Sequence, residues 1–365
     1  MKVTVTQENL AKALNVVGRV ATGKAALPVL GNILIKTDNN RLLLAATNLE
    51  IAITEHIGAK VVNDGALTVP ARLMSEFISN LPKGNVDLAV DGTKLHINSG
   101  AYDSTIHGIS ADEFPALPTI ASDTTYELDG TTLKRAIQQT VLVVSRDDTR
   151  PVLTGVYCHT HNKKLYFAAT DGYRLAEREL TASDGDVAAI IPAQTLNDVL
   201  RVMSDDTKTV TMIVDDNQVR FLLDDIEITS RLIEGKYVDY RQLIPNQTEV
   251  HADISKDEFV RVTKIASLFA RDSGGSVTIK TNAAKKELSI HSVASQLGEN
   301  TSVIETNVDQ DGQVTLNSRY LLEALSCIDE PEVSFAFSGK LAPCVLRASA
   351  SKDPVYSHIV MPLKS

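Results

Sequence analysis

The sequence predicts an α+β protein built from three copies of one domain. Three observations carry this: a block that recurs at a fixed offset, two amphipathic helical patterns in each copy, and period-two alternation of apolar residues between them. Pro28-Val29-Leu30 leads to a run ending Ala45-Ala46-Thr47-Asn48, and Pro151-Val152-Leu153 leads to one ending Ala168-Ala169-Thr170-Asp171, both at an offset of 123 residues. A third copy is fainter, with Val277-Thr278-Ile279-Lys280 and Leu288-Ser289-Ile290-His291 as its strands. At 365 residues the chain is longer than one hydrophobic core usually grows, so several domains are expected.

The first helix of each copy shows a stripe at helical spacing: Leu10, Ala13, Leu14 and Val17; Leu133, Ala136, Ile137, Val141 and Val144; Phe259, Val262, Ala266 and Phe269. The second helix reads as Leu73, Phe77 and Leu81; Leu196, Val199, Leu200 and Met203; and Leu321, Leu325 and Ile328. Pro70 and Pro192 suit helix starts, and Asn317 or Ser318 can cap the last helix by accepting from a free backbone N–H. Between helices, Lys94-Leu95-His96-Ile97-Asn98 and Val219-Arg220-Phe221-Leu222-Leu223 alternate as half-buried strands. Turn signals such as Asp91-Gly92 and Asp215-Asp216-Asn217 join such runs into antiparallel hairpins. Proline-bearing stretches at Phe114-Pro115-Ala116-Leu117-Pro118 and Leu243-Ile244-Pro245-Asn246 divide the chain into residues 1–120, 121–246 and 247–365.

Composition narrows the function. The apolar fraction of 43% and charged fraction of 22% are those of an ordinary globular protein. The opening Met1-Lys2-Val3-Thr4-Val5 alternates and forms no signal peptide, and no stretch is long and apolar enough to span a bilayer, so a cytoplasmic protein is expected. Cys158, Cys327 and Cys344 lie too far apart for a Cys-x-x-Cys pair and read as small buried hydrophobes. Neither a metal nor a cofactor is expected.

The chain carries a net charge of −10, yet its charge is unevenly spread. The six helix windows, residues 6–20, 71–80, 131–146, 193–203, 255–271 and 317–327, hold a net +6, leaving −16 on the rest. Lys12 and Arg19, Lys134 and Arg135, and Arg261 and Lys264 fall off the apolar stripes of the first helices, so they are expected to project away from the sheet. Basic side chains on helices, without a base-reading motif, suit phosphates and sequence-independent, salt-sensitive binding.

Catalytic signatures are missing: there is no Gly-x-Ser-x-Gly elbow, Walker A loop, His-Glu-x-x-His helix or dinucleotide glycine motif. His159-Thr160-His161 places two imidazoles on one face of a strand but lacks a third ligand. The pairs Asp147-Asp148, Asp205-Asp206, Asp215-Asp216 and Asp224-Asp225 read as solvated turns. A sequence-independent phosphate binder leads; a peptide-binding scaffold without DNA affinity, and a metal-dependent hydrolase using His159 or the acidic pairs, are the alternatives.

The chain resembles the bacterial replicative sliding clamp, the beta subunit of DNA polymerase III, over its whole length. The matching residues are Met1-Lys2-Val3-Thr4-Val5, Leu27-Pro28-Val29-Leu30-Gly31-Asn32, Val69-Pro70-Ala71-Arg72 and Phe114-Pro115 in the first copy. In the second they are Arg150-Pro151-Val152-Leu153-Thr154-Gly155-Val156 and Ala168-Ala169-Thr170-Asp171-Gly172-Tyr173-Arg174-Leu175-Ala176. Asp239-Tyr240-Arg241 and the terminal Ile359-Val360-Met361-Pro362-Leu363-Lys364 complete the match.

The resemblance implies a head-to-tail homodimeric ring of three-domain protomers that encircles duplex DNA, with helices lining the hole. It implies a processivity factor that is not an enzyme and that tethers the polymerase III alpha subunit, the clamp loader, other polymerases and repair proteins through short linear motifs. It adds Lys24, Arg72, Arg146, Asn317 and Tyr320 as DNA contacts. Asp147 and Pro151-Val152 depart from the family pattern, so no DNA contact is carried over for that loop. The partner pocket corresponds to Leu153, Thr170, Gly172, Tyr173, Arg174, Leu175, Val238, Leu243, Ile359, Val360, Met361, Pro362 and Leu363. An apolar chain end that did not dock would fray, which fits this assignment; Arg174 would fix a ligand carbonyl or hold its own loop. The dimer contact is expected at Ser104 and Ile106 on an edge strand and at Leu268 and Phe269 on a helix, because an exposed edge needs cover.

Overall fold

A computed structural model describes residues 1–21, 27–121, 124–349 and 355–364. Its six helices are α1 (Gln7–Val17), α2 (Ala71–Asn80), α3 (Gly130–Val141), α4 (Ala193–Val202), α5 (Lys256–Phe269) and α6 (Ser318–Ser326). Every strand pair among the described residues is antiparallel, as the hairpin signals predict.

The residues pack as two compact units, Met1–Thr131 with Gln194–Leu232, and Thr132–Ala193 with Ile233–Ser365. In the first unit, Tyr102–His107 forms one edge of a five-stranded sheet that also contains Lys2–Thr6. An eight-stranded sheet runs beside it, and at its centre Ile226–Arg231 pairs with Ile51–Gly58, setting Ile228 opposite Ile53. In the second unit a nine-stranded sheet joins Arg174–Ala182 to Tyr356–Val360, with Leu175 opposite Ile359. A four-stranded sheet there ends on Gly298–Glu305. Thus strands distant in sequence share one ladder, and packing groups the three sequence copies into two bodies.

Helix stripes explain the cores. Leu10, Ala13, Leu14 and Val17 of α1 are fully buried, and Thr6 caps the helix by accepting from Asn9 N. Phe259, Val262 and Ala266 of α5 and Leu321 and Leu325 of α6 are buried as expected, and Asn317 caps α6 through a 2.9 Å bond from Arg319 N. The alternating burial of Lys94–Ser99 also matches its sequence pattern.

The α2 stripe differs from its expected register, while the α3 stripe is buried at Leu133, Ala136 and Ile137 and ends one turn early. On α2 the buried face is Ala71, Met74 and Ile78, while Leu73 is 52% exposed. Both sets have helical spacing, so only packing against the sheet distinguishes them. Helix α3 ends at Val141, before Val144, and buries the polar Gln139 and Thr140 because both have partners inside. All three cysteines are buried and free, with burial pushing the Cys158 and Cys344 thiols upward in pKa.

The revised α2 register makes a direct prediction. Met74→Ala should cost about 2–5 kcal/mol, whereas Leu73→Ala should stay within about 0.5 kcal/mol. Urea unfolding midpoints measure both, and a larger loss at Leu73 would restore the original stripe.

Candidate functional site

The helix cations divide by environment. Lys12 on α1, Arg19 just beyond it, and Arg261 and Lys264 on α5 are exposed. Arg146 is exposed past the end of α3, and Arg72 on α2 is 91% exposed in its side chain, paired at i,i+4 with Glu76. Lys134 and Arg135 on α3 are half-buried. Arg135 does not project freely: its guanidinium donates to Cys327 O at 2.8 Å and pairs with Asp329 at 2.6 Å. The end of α6 supplies those acceptors, which no helical wheel of α3 could reveal.

Asn317 and Tyr320 also serve local structure. Besides capping α6, Asn317 donates to Gly274 O, and Tyr320 lies beneath two guanidiniums, Arg174 at 4.6 Å and Arg319 at 5.2 Å from its ring centroid. Arg319, exposed on the same helix and paired at i,i+4 with Glu323, is a further cation beside them that the sequence charge pattern does not distinguish. Lys24 lies outside the described residues.

The second site is built around the chain's last strand. Leu153, Leu175 and Ile359 share one apolar cluster with Ala168, Ile190, Tyr237, Tyr240 and Val345. Val360 and Thr170 are also buried, whereas Tyr173, Val238 and Leu243 are 63%, 43% and 42% exposed. Beyond the strand, Met361 N donates to Tyr173 O and Leu363 N to Thr315 O, both at 2.8 Å; Met361, Pro362 and Leu363 are only half-buried. The candidate residues therefore supply both an apolar floor and exposed apolar groups beside it.

A turn shapes this floor. Thr170 Oγ1 donates to Arg174 O at 2.6 Å and accepts from Gly172 N, whose φ of +89° suits glycine. A side chain at Gly172 would meet open space but strained backbone, so its bulk would not act by volume alone. Arg174 holds its own loop: it pairs with Asp171 at 3.0 Å and with Glu323, and donates to Leu142 O at 2.9 Å. Glu323 was not a candidate, since nothing local in sequence joins it to Arg174.

Beneath the floor, the Tyr157 ring stacks between His159 and Tyr237 at 4.6 and 4.8 Å. His159 Nε2 lies 2.6 Å from Tyr240 Oη, and Tyr240 donates to Glu177, which also pairs with Arg241. His159 is thus a buried structural group, and among the described residues no three His, Cys, Asp or Glu side chains gather to hold a metal. Of the acidic pairs, Asp215 accepts from Asn217 N and Gln218 N as a turn former, and Asp225 pairs with Arg41.

The proposed dimer residues differ in exposure. Leu268 is 53% exposed and Phe269 half-buried, but the Ile106 side chain turns into the sheet and is 5% exposed. Strand alternation forces this, leaving the backbone of Tyr102–His107 as the available edge. The edge strand Gly298–Glu305, with Val303 53% exposed, was not identified from sequence.

Comparison with known proteins places these features in a family. The models of the DNA polymerase III beta subunit N-terminal, central and C-terminal domains match residues 1–118, 127–239 and 241–364. The chain is 30% identical to the beta sliding clamp of Synechocystis sp., covering all of this chain and 99% of that protein. It is also 30% identical to that of Staphylococcus aureus, covering both in full. A solved sliding clamp from Bacillus subtilis superposes with a TM-score of 0.95 at 26% identity, over 100% of this chain and 99% of that one. The Pseudomonas aeruginosa clamp bound to griselimycin shares the fold, with a TM-score of 0.94 at 22% identity over both chains in full.

The buried histidines make stability fall in acid. Burial, aided by the charges of Arg241 and Arg174 respectively, lowers the pKa of His159 to about 4 and of His358 to about 3. An unfolded imidazole takes up a proton near pH 6.5 while the folded one does not, so this stability is full above about 6.5 and is lost as pH falls towards the folded values. Between pH 7 and pH 5 each histidine should contribute a loss of about 1–2 kcal/mol. Urea titrations at both values check this, and His358→Gln should flatten the dependence; an unchanged slope would show that His358 does not carry it.

Proposed function

The chain belongs to the DNA polymerase III beta subunit family, the beta sliding clamps, and from that premise we propose which of its surfaces perform the function. It is a DNA polymerase processivity clamp, not itself a catalyst. The observation that carries the assignment is the match of all three domain models in order along the chain.

In this reading two protomers close head to tail, the Tyr102–His107 edge of one protomer pairing with the Gly298–Glu305 edge of the other, and Leu268 and Phe269 packing beside the seam. The ring encloses duplex DNA, so that retention is topological and individual phosphate contacts stay weak. Lys12, Arg19, Arg72, Arg146, Arg261 and Lys264 supply exposed charge for those contacts. Lys24, Lys134, Arg135, Asn317 and Tyr320 complete the assigned set. We place the domain boundaries near 120 and 246; the matched models run over residues 1–118, 127–239 and 241–364. Among the described residues no helix is long and apolar enough to cross a membrane, and we place the protein with its DNA in the cytoplasm.

Short linear motifs of the polymerase III alpha subunit, the clamp loader and repair proteins dock at the tail-walled cleft of Leu153, Thr170, Gly172, Tyr173, Arg174, Leu175, Val238, Leu243 and Ile359 to Leu363. Apolar anchors over a preformed floor concentrate binding energy in a few side chains.

Two measurements test the assignments. Replacing Lys12 and Arg261 with alanine should flatten the log–log salt dependence of DNA binding by about 1–2, one phosphate contact each; an unchanged slope would place them off the DNA. Deleting Met361 to Ser365 should abolish calorimetric binding of a polymerase-derived peptide while sedimentation still reports a dimer. Wild-type peptide affinity would refute the cleft, and loss of the dimer would make the tail structural.

A further inference from the structure

The first and second copies keep the 123-residue offset through their opening halves, so each position in one has a counterpart in the other. Arg41–Thr47 corresponds to Lys164–Thr170, and Ile51–Gly58 begins where Arg174–Ala182 does. At one such set of positions the chemistry reverses. In the second copy, Gln139 and Arg135 both donate to Cys327 O, at 2.7 and 2.8 Å, and Arg178 reaches Gln139 Oε1 at 3.4 Å. These bonds engage the set, although Arg178 Nε stays buried without a hydrogen-bond partner among the described residues.

The first copy has Val16, Lys12 and Glu55 at the positions of Gln139, Arg135 and Arg178. An amide has become a valine and a guanidinium has become a carboxylate. These residues line a cavity of about 340 Å³, with Val202 and Asp224 among its other walls. That volume is at the lower end for small-molecule sites and about ten times the share of one water.

Glu55 is 7% exposed, and its Oε2 is buried without a hydrogen-bond partner among the described residues. An unmatched buried carboxylate is costly and demands a donor. Arg41 does not supply one: it is turned to Asp225 at 2.7 Å and to His56 O, and no bond joins it to Glu55 among the described residues. Lys12 is close enough to favour the ionised form of Glu55, but it is exposed and no ion pair joins the two among the described residues. No group of three metal-ligating side chains is present among those residues either.

We propose that this cavity binds a small aliphatic diamine, with one ammonium donating to Glu55 and the other facing Asp224. An ammonium offers N–H donors and a compensating charge together, which a water offers only in part. Burial raises the pKa of Glu55, partly offset by Lys12, so the affinity should weaken as pH falls and the carboxylate becomes protonated. The site is separate from the docking cleft but shares Lys12 with the DNA-contact assignment, so it is tested without DNA.

The test is calorimetric titration of putrescine into the full chain without DNA, at pH 8 and constant ionic strength. One saturable site per chain is expected. Glu55→Gln should weaken it about tenfold or more, as expected for loss of a charge-assisted bond. Val16→Phe, which occupies the cavity while leaving Glu55 in place, should abolish binding and gives the same reading if the Glu55 variant folds poorly. Lys12→Ala should tighten binding by removing the internal cation that competes for Glu55. Tetramethylammonium, which has charge but no N–H, should fail to compete. Absence of saturable heat, equal affinity in Glu55→Gln and Val16→Phe, loss of binding in Lys12→Ala, or full competition by tetramethylammonium would each overturn the proposal.

Discussion

Antiparallel strand pairing between different copies is the constraint from which the rest of the structure follows. A lone strand leaves a row of backbone N–H and C=O groups that must find partners, and here the partners come from another part of the chain. Ile226–Arg231 closes onto Ile51–Gly58, and Tyr356–Val360 closes onto Arg174–Ala182. Each ladder extends just past the strand: Arg231 N donates to Glu50 O, and Met361 N donates to Tyr173 O. The same joint is made twice. It explains why packing yields two bodies although the sequence repeats three times.

The joint also creates the cleft. Pairing with Arg174–Ala182 brings Ile359 opposite Leu175 and carries the final residues past the Thr170 turn, where Leu153 waits in the same apolar cluster. Arg174 then stiffens the turn by holding Asp171, Glu323 and Leu142 O together. Its stacking over Tyr320 links the cleft to a residue assigned to DNA, so the two surfaces share a physical neighbour within one unit.

Duplication followed by divergence accounts for the differences between the copies. The turn at the joint needs a left-handed residue: Gly172 supplies it with φ +89°, and in the first copy Leu49 adopts φ +77° at the same offset. Thr47 bonds there as Thr170 does, donating to Ile51 O and accepting from Leu49 N. The backbone solution has been kept while the side chains changed, and the exchange of Arg178 for Glu55 shows how far charge can drift inside a retained frame.

The sequence alone determined the α+β class, the repeat, the six helices, the alternating strands and the basic bias of the helix windows, because each is written in local spacing or composition. Leu10, Leu14 and Phe259 were legible as core because helical period and apolar character agree on them. Tertiary structure decided what local spacing leaves open. Leu73 and Met74 are equally plausible by period, and only the sheet beneath selected Met74. Arg135 looked like a solvent-facing cation until Cys327 O and Asp329 reached it from a remote segment. The partnership of Arg174 with Glu323 and the burial of the Glu55 carboxylate have no sequence signature, since each depends on which distant groups the closed ladders bring near.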